Sequence, residues 1–169
     1  SIGQMKFSPN SKRIAYSDFS FNLIEVFDFD NTTGLISSPI TMQSSSFNKP
    51  YGLEFSSNSQ VLYATSIDVS TGTGPTYVMQ FDLSSGVQAT IFASRVDVAV
   101  ANDKYVYGSL QLGPDKRMYV SKNNTNFISV IDQPDVLGVG CVYLDNIVDV
   151  SPSLARLGLP NIIGSISNS

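Results

Sequence analysis

Histidine and tryptophan are absent from this 169-residue chain, and cysteine occurs once. Without imidazole, Ser-His-Asp and Cys-His nucleophilic systems and histidine metal sites are excluded. Catalysis would then fall to carboxylates, lysines or tyrosines. A single cysteine rules out a disulfide within the chain, and Cys141, in the apolar run GVGCVYL, reads as a small buried hydrophobe. No apolar run approaches the ~18–20 residues that cross a bilayer, so no transmembrane segment is expected. Ser1-Ile2-Gly3 carries no signal-peptide pattern and runs straight into the first repeat, as in an excised or processed piece. Positive charge is sparse: 10 Lys and Arg stand against 14 Asp and Glu, with a pI near 4.5. Lys6, Lys49, Arg95, Arg117 and Arg156 are scattered singly, which does not suit a phosphate backbone, so nucleic acid is not an expected partner. Neither a Gly-x-Gly-x-x-Gly fingerprint nor a Walker loop is present.

What is present is a repeat. Gly52 to Ser66, GLEFSSNSQVLYATS, has copies at Gly3 to Asp18, GQMKFSPNSKRIAYSD, and at Gly108 to Asn123, GSLQLGPDKRMYVSKN. Each copy alternates apolar and polar residues, turns on Ser, Pro, Asn or Lys, and continues in a run rich in aromatic and β-branched residues. That pattern predicts a β-hairpin. A third apolar run follows each hairpin and closes on Asp28, Asp82 or Asp132. Gly-ended turns, DNTTG and DLSSG, lead to a fourth strand after the first two. Gly3 to Gly52 spans 49 positions and Gly52 to Gly108 spans 56, close to the ~40–50 residues of a four-stranded propeller blade. The fold class is therefore all-β, a β-propeller of about three four-stranded antiparallel blades. Closed propellers have roughly 4–8 blades, so the chain is expected to be part of a larger propeller or of a dimer. Without tryptophan it is not a standard Trp-Asp repeat.

The blades are placed at 1–44, 45–93 and 94–145, with a C-terminal cap over 146–169. Met5 with Phe7, and Leu53 with Phe55, take one face of their strands. Asp68 to Thr76, DVSTGTGPT, reads as a lengthened surface loop. Val96, Val98 and Val100 can add strand structure before the third hairpin, and a fourth strand for the last blade falls at Val139 to Leu144. In the tail, Pro152 and Pro160 oppose a long helix, and Leu154, Leu157, Leu159, Ile162 and Ile163 are expected to pack back on the last blade.

Asp28 and Asp30, followed by Asn31 and Gly34, superficially resemble a calcium loop, yet DNTTG is a good turn by itself and the later carboxylates of an EF-hand are missing. They are weak metal candidates, and no metal or cofactor is expected. Asp145 with Asp149 is a further carboxylate pair that a surface role explains equally well. The inward polar positions Gln4, Lys6, Glu54, Ser109 and Gln111 are the binding candidates.

PYGLEFSSNSQVLYAT (Pro50 to Thr65), LQLGPDKRMYVSKN with FISVIDQPDVLG, and ARLGLPNII (Ala155 to Ile163) resemble propeller regions of gliding-motility-associated surface proteins. Those proteins are sorted by type IX secretion, and the RLGLPN tail at Arg156 to Asn161 is the most specific element. Their FSP-turn-LYV hairpin is shared with YVTN or lactonase-like propellers. The resemblance implies an extracellular or cell-surface location and a scaffold or binding role, with no catalytic residues to carry over. The expectation is thus a non-enzymatic interaction module contacting protein or glycan. The alternative is a fragment of a lactonase-like or quinoprotein-like propeller enzyme. Two blade faces left uncovered by an incomplete ring predict either a homodimer through those faces or a chain prone to aggregate.

Overall fold

In the computed structural model, which describes residues 2–67, 75–102 and 107–159, all three hairpins turn on a residue held in left-handed backbone. These are Ser11 (φ 57°), Ser59 (φ 62°) and Lys116 (φ 65°). Side chains fix the turns: the Ser8 hydroxyl accepts from the Arg13 N–H at 2.9 Å and the Ser56 hydroxyl from the Val61 N–H at 3.0 Å. In the third copy the Asp115 carboxylate takes over, accepting from the Arg117 N–H at 3.2 Å. The same strand register therefore survives a turn one residue shorter.

The strands form three four-stranded antiparallel sheets, each in simple chain order. Blade 1 is β1 (Met5–Phe7), β2 (Arg13–Asp18), β3 (Leu23–Asp30) and β4 (Leu35–Gln43). Blade 2 is β5 (Pro50–Phe55), β6 (Val61–Ser66), β7 (Thr76–Asp82) and β8 (Val96–Ala101), with a short helix α1 (Gln88–Ala93) before the last strand. Blade 3 is β9 (Tyr107–Leu112), β10 (Met118–Lys122), β11 (Phe127–Ile131) and β12 (Tyr143–Asp149). The innermost strands lie side by side, β5 between β1 and β9. This is propeller architecture, and no helix among the described residues is long and apolar enough to cross a membrane.

Three boundaries differ from expectation. The valine run at 96–100 pairs backward with β7, so blade 2 extends to Ala101 and does not end at 93. The fourth strand of blade 3 starts later than Val139, because Gly138 (φ 64°) and Val142 (φ 56°) bracket a 3-10 turn over Gly138–Cys141. The stretch after 149 is attached less by apolar packing than by backbone: Asn124 N–H donates to Ala155 at 2.9 Å, and Ala155 N–H to Thr125 at 2.7 Å, while Leu154 is exposed. Ile162, Ile163, Pro160 and most of the 68–76 loop lie outside the described residues.

Alternation sends β6 side chains to opposite sides, and both sides are covered. Leu62 and Ala64 join Leu53, Phe55, Met79 and Phe81 against Ala15, Ile24, Val26 and Met42 of blade 1. Val61 and Tyr63 join Val78 against Leu110, Met118, Val120 and Ile131 of blade 3. Full burial of such side chains is worth roughly 1.5–3 kcal/mol each. The first seam is apolar and aromatic, with the Phe47 and Phe81 rings edge to face at 5.8 Å. The second carries a buried polar network: the Gln80 amide donates to Tyr63 Oη at 2.6 Å, and Tyr63 donates to the Pro134 carbonyl at 3.0 Å. Burial pushes the Tyr63 phenol above its ordinary range, and it raises the Cys141 thiol beside it as well. Cys141 is buried, as its apolar surroundings predicted.

Candidate functional site

Polar residues that alternate with the core residues of an inner strand point to the opposite face of that strand. In β1 and β5 this parity puts Lys6 and Glu54 opposite Met5/Phe7 and Leu53/Phe55. The structure brings all five sequence-picked polar positions together from three blades. Lys6 Nζ donates to Glu54 Oε2 at 3.0 Å and to Gln111 Oε1 at 3.3 Å. The Gln4 amide donates to Ser109 Oγ at 2.5 Å, while its oxygen accepts from the Leu53 N–H at 3.2 Å. Glu54 also accepts from the Leu112 N–H at 3.3 Å and the Phe55 N–H at 3.1 Å. Its side chain is 7% exposed against 24% for Lys6. A carboxylate so enclosed is tolerable because a cation and two backbone donors meet it.

Beside this cluster is a polar cavity of about 310 Å³. Gln4, Lys6, Ser109 and Gln111 line it from blades 1 and 3, and Gly158 with Leu159 closes another side. Those two tail residues owe their place to a joint that recurs between blades. Ser17 Oγ donates to the Tyr51 carbonyl at 2.6 Å, and Thr65 Oγ1 donates to the Gly108 carbonyl at 2.6 Å. Ser121 Oγ donates to the Leu157 carbonyl at 3.0 Å, and Ser109 N–H reaches the same oxygen at 2.6 Å. The tail thus sits where the inner strand of a next blade would run. Close approach explains the glycine near the start of each inner strand: a Cβ on Gly52 would lie 2.5 Å from the Gly108 oxygen.

Sequence reasoning did not single out Ser17, Thr65 and Ser121, or the Gly158–Leu159 wall. The signal was there as a column of hydroxyl residues following Tyr16, Ala64 and Val120. Asp28 and Asp30 are not part of the cluster. Asp30 is spent on its turn, accepting from the Thr32 N–H at 2.9 Å and the Thr33 hydroxyl at 2.8 Å, and these bonds hold its carboxyl below the usual range. Among the described residues no group of three or more Cys, Asp or Glu is placed to hold a metal ion. Asp145 and Asp149 also part company. Burial would raise the Asp145 carboxyl, but the Ser129 hydroxyl (2.6 Å), the Lys122 ammonium (3.3 Å) and the Tyr143 hydroxyl (3.0 Å) outweigh it and leave it lowered. Asp149 caps Ser151 at 2.8 Å.

No family model and no curated protein matches the chain. Solved structures do. A protein from Lactobacillus plantarum superposes with a TM-score of 0.51 at 16% identity, over 76% of this chain and 36% of that one. Virginiamycin B lyase from Staphylococcus aureus gives 0.50 at 16% identity, over 75% and 36%. A protein proposed to be a 6-phosphogluconolactonase, from Bacteroides uniformis, gives 0.50 at 20% identity, over 76% and 36%. The chain therefore spans just over a third of the length of each. Likeness at this identity establishes the fold. It also corrects the expectation that enzymatic chemistry can be set aside, because propellers of this shape include proteins named as a lyase and as a lactonase.

Proposed function

We propose that this chain supplies the ligand-binding blades of a lactonase- or lyase-like propeller enzyme, acting on a cyclic ester of sugar type. The observation that carries this reading is the polar cavity lined by Gln4 and Lys6 of blade 1 and Ser109 and Gln111 of blade 3, with Glu54 of blade 2 paired to Lys6 behind it. Residues with convergent polar groups in a concave, preformed site are what small-ligand chemistry requires. In the reaction, water adds to the ester carbonyl, the ring C–O bond breaks, and the ring oxygen takes up a proton. The Lys6 ammonium, which lines the cavity, is placed to stabilise the developing carbonyl oxyanion, and Glu54 behind it holds that ammonium in position.

The structural neighbours' names support this choice of chemistry by analogy. An exported, gliding-motility-type setting belongs to the same proposal and rests on the Arg156 to Asn161 tail alone. To test the activity, the purified chain is mixed with glucono-δ-lactone and acid release is followed by pH-stat against the spontaneous rate. Acceleration is expected, with a loss of about 100-fold or more in Lys6→Met and in Glu54→Gln, circular dichroism being unchanged. No acceleration, or acceleration untouched by both variants, would overturn the reading.

A further inference from the structure

The cavity beside Lys6 has a charge balance that limits what can enter it. Lys6 is the one charged side chain among its described lining residues, and its ammonium already lies 3.0 Å from Glu54 Oε2. The rest of the wall offers neutral donors and acceptors: the Gln4 and Gln111 amides and the Ser109 hydroxyl. A phosphate monoester brings about −1.5 to −2 charges and would meet no uncommitted cation there, with the Glu54 carboxylate directly behind the only one. A hydroxyl-bearing neutral ring meets a matched set of partners instead. At about 310 Å³ the cavity stands at the lower limit of the ~300–1,000 Å³ seen for ligand sites. That is room for a single ring.

We infer that the site takes an uncharged, ring-sized polyhydroxyl compound and discriminates against its phosphorylated form, with the Gly158–Leu159 segment as the wall that sets the size limit. This rests on the reading of the channel cluster as a ligand site. The Glu54 carboxylate acts here as a specificity element: it neutralises Lys6 and repels a second anion. Gly158 is the size element, since a Cβ there meets nothing within 4 Å and added bulk has open space to occupy.

The test separates binding from turnover by using a ring that cannot be hydrolysed. Isothermal titration is done with D-glucono-δ-lactam and with its 6-phosphate, on wild type, Glu54→Gln and Gly158→Val. The neutral lactam is expected to bind wild type at least tenfold more tightly than the phosphate. Glu54→Gln should shrink or reverse that ratio by freeing Lys6, and Gly158→Val should weaken the lactam about tenfold with the thermal transition unchanged. Phosphate binding as tight as the neutral ring in wild type overturns the discrimination while leaving the lactonase reading in place. Failure of both lactams to bind removes both readings. Unaltered lactam affinity in Gly158→Val overturns the part given to the tail.

Discussion

Blades 1 and 2 carry the same apolar column and differ in what lies over it. Met5 and Phe7 of blade 1 are 61% and 50% exposed, whereas Leu53 and Phe55, at the same places in the repeat, are fully buried. Leu110 of blade 3, in that column again, is 1% exposed. The difference lies in the neighbour and not in the residue: blade 2 packs this face on Ala15, Ile24, Val26 and Met42 of blade 1, and blade 3 packs it on Val61, Tyr63 and Val78 of blade 2. A blade's hydrophobic stripe is thus half of a core. In a repeat architecture most of the stability resides in such nearest-neighbour interfaces.

The strongest way to break this comparison is truncation of the paired phenylalanines. Phe55→Ala should cost about 3–5 kcal/mol, because its cavity opens inside a covered seam. Phe7→Ala should cost under about 1 kcal/mol, its ring keeping the edge-to-face contact with Phe29 at 5.1 Å but little else. Urea unfolding of both variants measures this; equal losses would show that the neighbouring blade's cover does not set the difference.

A second comparison concerns the seams. Tyr63 occupies the repeat position held by Ala15 in blade 1, so the hydroxyl network of the second seam has no counterpart in the first. Tyr63→Phe should lose about 1–3 kcal/mol, since the buried Gln80 amide and the Pro134 carbonyl both forfeit a partner. The same chemical denaturation reads it, and a loss below about 0.5 kcal/mol would make the network decorative. The smallest effect belongs to blade 3, where the Asp145 carboxyl is held below its usual range. A lowered folded-state pKa contributes stability that is complete above the unfolded value, near 3.9, and lost as pH falls through the folded one. The stability gap between wild type and Asp145→Asn should therefore stay level from neutral pH to about 4.5 and close below about 4. A gap that persists at pH 2 would point to packing in place of charge.

Much of this was legible in the chain itself. Alternation placed Met5/Phe7 and Leu53/Phe55 on one face and pointed Lys6 and Glu54 the other way, because a strand has only two faces and the core must take one. Partner choice was not legible. The valines at 96–100 read as a strand, but nothing in their alternation says whether that strand pairs with β7 behind it or with the blade ahead. Val139 to Leu144 failed for another reason: an apolar run has no period to distinguish a strand from a buried turn, and the left-handed Gly138 and Val142 made the turn. The joint hydroxyls Ser17, Thr65 and Ser121 are single small residues whose meaning appears only once the next blade's carbonyl is beside them.

The seat of Leu157 on Ser121 gives the array a polarity. At the blade 1 end the leading face is bare, and at the blade 3 end the position for a following inner strand is already taken by the chain's own backbone. A further inner strand approaching that end would have to displace this segment and, with it, the Gly158–Leu159 side of the polar cavity. An added inner strand and the walled cavity are, in this molecule, competing uses of the place held by five residues, Ala155 to Leu159.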